Sequence, residues 1–276
     1  MLPSFVIIGG QKCGTTSLAN QVATHPEIGF SEPKEVHFFS WEKHWSRGLR
    51  WYESLFEGAE GAKAVGEGST TYTKYPKVRD VPTRMAQVLP DARLIYLVRH
   101  PVDRLISHYM HKWYESLVGD DLEEALEKRP QLIAYGRYYY QIEQFLPFFP
   151  PERLLVLIFE EFIADPIATH RRVYEFLGVD PTYVPSDVSA KNVTAAKVRR
   201  SAWIRAALKV PFAERVGRRL LPAPLKGRLK QVGTKMHKPE IPPALRERLL
   251  ETFLPDVQAL SDFLGRDLKE IWKLTP

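Results

Sequence analysis

The chain is poor in cysteine, with one thiol, Cys13, in 276 residues. A single cysteine excludes an intramolecular disulfide and a cysteine-rich zinc site, and it fits a reducing compartment. Long apolar runs are absent too. None approaches the roughly 18 residues that a bilayer-spanning helix needs, so a membrane span is excluded. No internal period is visible, which excludes a repeat array. No basic segment precedes the first apolar run, Phe5–Ile8, and no small-residue cleavage site follows it. A signal peptide is therefore not expected, and the cytoplasm is the expected compartment. Hydrophobic content of 44% and charged content of 26% are those of an ordinary globular protein. The length suffices for one domain, 1–276, with a buried core.

Acid is nearly missing from one stretch. Lys191 to Lys238 holds fourteen lysines and arginines against one acid, Glu214, so it is more basic than the whole chain, whose net charge is +6. Such a stretch suits an anionic partner: phosphate, sulfate, an acidic polymer or an anionic membrane surface. A solvated helical face explains it equally well. Within it, Trp203–Leu221 mixes apolar and basic residues in the manner of a membrane-surface helix, although Pro211 interrupts it. No nucleic-acid motif accompanies the charge, and nucleic acid is not expected as a partner.

What is present is an alternation. The apolar runs Phe5–Ile8, Arg93–Arg99 and Leu154–Phe159 read as buried strands. Thr15–Ala23, Val102–Val118, Tyr138–Phe149 and Pro166–Leu177 read as helices between them. The pattern is that of an α/β fold, a parallel sheet flanked by helices. Beyond about Pro185 strand candidates stop. A variable basic insertion, 191–238, precedes two C-terminal helices, Pro242–Leu254 and Val257–Leu264, within 239–276.

Three segments carry chemistry. Gly9-Gly10-Gln11-Lys12-Cys13-Gly14-Thr15-Thr16-Ser17 follows a strand and opens a helix. Its backbone N–H groups, the helix terminus and three hydroxyls suit phosphate. It departs from the nucleotide loop G-x-x-x-x-G-K-[ST], because Thr15 stands at the lysine position and Lys12 lies inside the loop. Next, Arg99 ends the second strand run and Ser107 follows two helical turns later, which offers a guanidinium fork and a hydroxyl to a second phosphate. Finally, Lys34-Glu35-Val36-His37-Phe38-Phe39 places an acid and a histidine two residues apart. If extended, it points both the same way, as general-base work requires. A surface acid beside a core histidine is the plainer alternative. The aromatic residues Trp41, Trp45, Trp51 and Tyr52, and the run Tyr138–Tyr140, suit either core packing or stacking on a sugar ring.

Together these segments resemble the PAPS-dependent sulfotransferases, closest to the heparan-sulfate branch and its soluble bacterial relatives, where PAPS is 3′-phosphoadenosine 5′-phosphosulfate. The family's 5′-phosphosulfate loop is similar to Gln11–Leu18, its 3′-phosphate motif to Leu97–Ser107, and a catalytic segment to Lys34–Phe39. The likeness continues through Gly48–Tyr52, Glu67–Tyr72, Gly136–Tyr138 and Leu155–Phe162. It implies the sulfotransferase fold and transfer of a sulfuryl group from PAPS to an acceptor hydroxyl or amine by in-line displacement without a metal. It implies that Lys12, Cys13, Gly14, Thr15, Thr16 and Ser17 hold the phosphosulfate. Arg99 and Ser107 hold the 3′-phosphate, Glu35 is the base, His37 assists it, and Lys12 offsets charge on the leaving oxygen. Lys235 is a further cofactor contact, and a glycan, glycolipid or small molecule is the acceptor. The family's lysine is replaced by Gly68 here. Two rivals stay open beside it: a P-loop kinase using ATP, and a non-catalytic protein that binds acidic polymers or membranes.

Overall fold

The computed structural model describes residues 1–188 and 238–274. Lys235, the segment Trp203–Leu221 and all of the basic stretch but Lys238 lie outside the described residues. The three apolar runs are strands β1 (Phe5–Gly9), β4 (Arg93–Val98) and β5 (Leu154–Ile158). Two strands that the sequence pattern does not mark, β2 (Ile28–Phe30) and β3 (Ala64–Gly68), complete the sheet. All pairings are parallel, in the order β2-β3-β1-β4-β5. Every residue of β1 and β3 is buried, so the sheet is covered on both faces. At Gly66 in β3 a Cβ would stand 2.2 Å from the Phe5 ring, and this close approach is why the strand carries glycine there.

The helices are α1 (Thr15–Val22), α2 (Glu42–Trp45), α3 (Leu49–Ser54), α4 (Val81–Val88), α5 (Pro101–Tyr114) and α6 (Leu122–Lys128). They continue as α7 (Gln131–Ala134), α8 (Tyr138–Ile142), α9 (Phe159–Ala164), α10 (Pro166–Leu177), α11 (Pro243–Leu264) and α12 (Leu268–Trp272). The aromatic run expected to be helical through Phe149 is helical only to Ile142, and a series of turns follows. The two expected C-terminal helices are one, α11, which carries Pro255 in its interior. The residue after that proline ties α11 to α8. The carboxylate of Asp256 accepts the N–H groups of Tyr139 and Tyr140 at 3.1 and 2.9 Å, and so caps the first turn of α8.

Because the strands are parallel, the loops after β1, β3 and β4 leave one edge of the sheet side by side. That edge is where open α/β sheets place their sites. Main-chain bonds knit these loops together. The Ser69 N–H donates to the Ile7 carbonyl at 3.1 Å, and the Gly10 N–H donates to the Leu97 carbonyl at 2.8 Å.

Candidate active site

The loop after β1 turns into α1 at Gly14, whose φ of 91° is left-handed. A Cβ at Gly14 would stand 2.9 Å from the Phe159 ring. Only glycine combines that φ with that approach. The first turn of α1 leaves its N–H groups without helical partners, with the positive end of the helix behind them. Thr15 and Ser17 are buried in this turn, and Lys12, Gly14 and Thr16 are half-buried. Cys13 turns inward. Its side chain is fully buried, its Sγ lies 3.7 Å from the Tyr138 hydroxyl, and its N–H donates to the Gly10 carbonyl. Burial pushes the thiol up to about 11, so the Cys13 side chain is uncharged at pH 7 and packs inside the loop.

Arg99 stands one residue beyond β4. Its Nη1 donates to the Lys12 carbonyl at 3.3 Å, and its guanidinium lies 4.6 Å from the centre of the Phe159 ring. Its Nε is buried without a protein partner. Ser107 is half-buried on α5, in the same connection after β4. The structure thus brings Arg99 against the Lys12 main chain and places Ser107 on the helix that begins two residues after Arg99.

The segment around Glu35 is not extended. Glu35 and His37 both have left-handed backbones, with φ of 65° and 56°. Such conformations cost an L-residue about 1–2 kcal/mol each and need support. The Glu35 N–H donates to the Gly68 carbonyl at 3.0 Å, and the His37 N–H donates to Ser69 Oγ at 2.9 Å. The two side chains therefore meet across a kink rather than along a strand, with His37 Nδ1 3.8 Å from Glu35 Oε2. Glu35 Oε2 accepts from the Thr70 N–H at 2.9 Å and the Thr70 hydroxyl at 3.1 Å, and Oε1 accepts from Lys34 Nζ at 2.8 Å. Burial alone raises the carboxyl. The Lys34 ammonium, the Thr70 N–H and His37 outweigh burial and hold it below the usual carboxylate range. Burial pushes His37 down to about 4 despite the Glu35 charge beside it. The imidazole is neutral at pH 7, its contact with Glu35 is no ion pair, and its Nδ1 bonds Thr71 Oγ1 at 2.8 Å.

Sequence reasoning missed two ionisable groups beside this segment. Glu67, fully buried in β3, accepts the hydroxyls of Tyr52 at 2.9 Å, Tyr72 at 2.6 Å and Ser69 at 2.8 Å. Burial still pushes it up to about 7. Ser69 Oγ thus joins Glu67 to the His37 N–H. Lys74 is half-buried in the turn after β3 and pushed down to about 8, by burial first and then by Lys112. Its charge acts on both Glu35 and His37. The aromatic cluster divides. Phe38, Phe39 and Tyr52 are core, with Trp45 and Trp51 packed against them. Trp41 is 46% exposed, yet stacks on His37 with ring centres 4.0 Å apart.

The sequence matches the family model of the sulfotransferase domain over residues 2–209. Among curated proteins it is 31% identical over 205 residues to the bifunctional heparan sulfate N-deacetylase/N-sulfotransferase 3 of Homo sapiens, a match covering 66% of this chain and 23% of that protein. It is 32% identical over 190 residues to heparan sulfate glucosamine 3-O-sulfotransferase 3A1 of Mus musculus, over 64% of this chain and 46% of that one. The chain thus spans less than half the length of these relatives. Among solved structures, a sulfotransferase from Alicyclobacillus acidocaldarius superposes with a TM-score of 0.72 at 29% identity, over 99% of both chains.

Proposed function

This chain belongs to the sulfotransferase domain family, and from that premise we propose that it moves a sulfuryl group from PAPS to an acceptor hydroxyl or amine by in-line displacement, with Glu35 as general base. PAPS, when bound, supplies the sulfuryl group and a 3′-phosphoadenosine 5′-phosphate (PAP) leaving group. The chain's own donors fit it. Arg99 Nε is a buried donor that awaits an acceptor, and a phosphate at the strand end satisfies it together with the Ser107 hydroxyl. Gly14, Thr15, Thr16 and Ser17 form the loop and helix start for the 5′ end. Lys12 offsets charge that builds on the bridging oxygen.

The observation that carries the reading is the state of Glu35. The Thr70 N–H fixes its carboxyl in a left-handed kink beside a neutral imidazole, and it is held ionised well below neutral pH. A fixed carboxylate of this kind accepts a proton from an acceptor hydroxyl, and His37 orients it. Calorimetric titration of the chain with PAP, ADP and ATP without metal tests the donor. PAP alone should bind tightly, and preference for ATP would turn the reading to a kinase.

The relatives described above are named for action on heparan sulfate, and on that ground we take a carbohydrate as the acceptor class. Trp41 offers an exposed ring face against His37. Transfer of label from PAPS across a glycan panel checks this, and labelling of small phenols alone would reassign the class. The basic stretch 191–238 adds contact with an anionic surface in the same reading. Flotation with anionic liposomes, with and without residues 200–230, tests that, and equal binding by both forms would sink it.

A further inference from the structure

Tyr138 opens α8 and is fully buried. Its hydroxyl accepts from the Arg99 N–H at 3.2 Å and donates to the Arg99 carbonyl at 2.7 Å. The same oxygen lies 3.7 Å from Cys13 Sγ in the loop after β1. A buried phenol is costly unless it is hydrogen-bonded, and here all its bonds go to the two segments read as gripping opposite ends of one ligand. No catalytic step uses it. The tyrosine is held from the far end of the chain. Asp256 of α11 caps the turn that carries it. The ring of Trp272 in α12 lies 6.1 Å from the Tyr138 ring, and its Nε1–H donates to Glu160 at 2.9 Å. The other oxygen of Glu160 accepts the His100 N–H at 3.0 Å, one residue beyond Arg99. The main chain at Arg99 and His100 is thus clamped on both sides by side chains that the C-terminal helices hold.

We propose that the Tyr138 hydroxyl is a positioning group for recognition of the donor's 3′-phosphate. It fixes the Arg99 main chain at a set distance from the loop after β1, and so sets where the guanidinium meets the 3′-phosphate. The inference rests on the donor reading above.

The test titrates the full chain with PAP and with 5′-AMP, which lacks the 3′-phosphate. The wild-type chain should prefer PAP. Equal affinities there would defeat the donor reading itself, whatever Tyr138 does. In Tyr138→Phe, PAP affinity should fall by about tenfold, the scale of losing one or two neutral hydrogen bonds. Affinity for 5′-AMP should change by less than about twofold, within the uncertainty of such differences. In an Arg99→Ala background the same substitution should cost PAP binding nothing further, because the group it positions is gone. Equal losses for both nucleotides, or additive losses in the double variant, would overturn the proposal and leave Tyr138 a packing residue. If Tyr138→Phe does not fold, Trp272→Phe probes the clamp from its other side by withdrawing the indole N–H from Glu160. A lowered PAP to 5′-AMP preference supports the clamp, and an unchanged preference overturns it.

Discussion

Replacing Glu67 by glutamine should remove a defined slice of the pH dependence of stability. The carboxyl sits fully buried in β3, joined through Ser69 to the His37 N–H, and is raised from 4.5 to about 7. Between those values the native state keeps a proton that the unfolded chain has released. The group therefore stabilises the fold fully below 4.5, less and less as pH rises through this window, and not at all above about 7. The shift corresponds to about 3 kcal/mol at 1.36 kcal/mol per pH unit. For a chain of this length that is roughly 6–12 °C in Tm, at about 2–4 °C per kcal/mol. Glutamine keeps the shape and cannot ionise. Its carbonyl takes the hydroxyls of Tyr52 and Tyr72, and its amide faces Ser69 Oγ. Thermal unfolding of both proteins at pH 5, 6, 7 and 8 reads the effect, with the variant gaining on the wild type as pH rises. Parallel curves would refute the reasoning. They would mean that three hydroxyl donors keep the carboxylate ionised throughout and that burial does not govern it.

Other outcomes follow from the same geometry. Glu35→Gln should leave PAP affinity within about twofold and lower transfer from labelled PAPS by about 10²–10⁴, the usual share of a general base. Lost PAP binding in that variant would make the residue structural. Gly14→Ala puts a Cβ against Phe159 at a left-handed φ. It should cost about 2–4 kcal/mol in unfolding experiments, and a stability unchanged from wild type would contradict the packing described here. Lys74→Met removes a positive charge that acts on Glu35 and His37. The acid limb of the transfer rate should then move to higher pH, and an unmoved limb shows that the field of Lys74 does not reach the base.

Much of the fold is legible because β1, β4 and β5 are largely apolar runs with turn residues nearby: Gly9-Gly10 at the end of β1, Pro101 shortly after β4 and Pro150-Pro151 before β5. β3 is not, since Ala64-Val65-Gly66-Glu67-Gly68 has two glycines and a buried acid where a strand pattern expects branched residues. Its glycine at 66 answers to the Phe5 ring and its acid to three hydroxyls, both contacts from distant parts of the chain. The phosphate loop is legible for a local reason, because a glycine-bounded turn into a helix is encoded by neighbours. The pairing of Glu35 with His37 is legible in identity but not in form. An alternating spacing suggests a strand, whereas two left-handed residues held by Gly68 and Ser69 make the contact. Tyr138 reads as one of three consecutive aromatics suited to packing or sugars, and nothing nearby marks its hydroxyl for Arg99, 39 positions away.

The strand order has a consequence for how such an enzyme changes. β1, with its loop, lies between β3 and β4. Everything proposed to handle the proton hangs on the β3 side: Glu35 on Gly68 and Thr70, His37 on Ser69 and Thr71. Arg99 and its tyrosine clamp lie on the β4 side. On the proposed reading, substitutions between about residues 31 and 75 bear on what is modified more directly than on the proposed nucleotide grip. New acceptors should arise by drift on one flank of the sheet, with the other flank inherited unchanged.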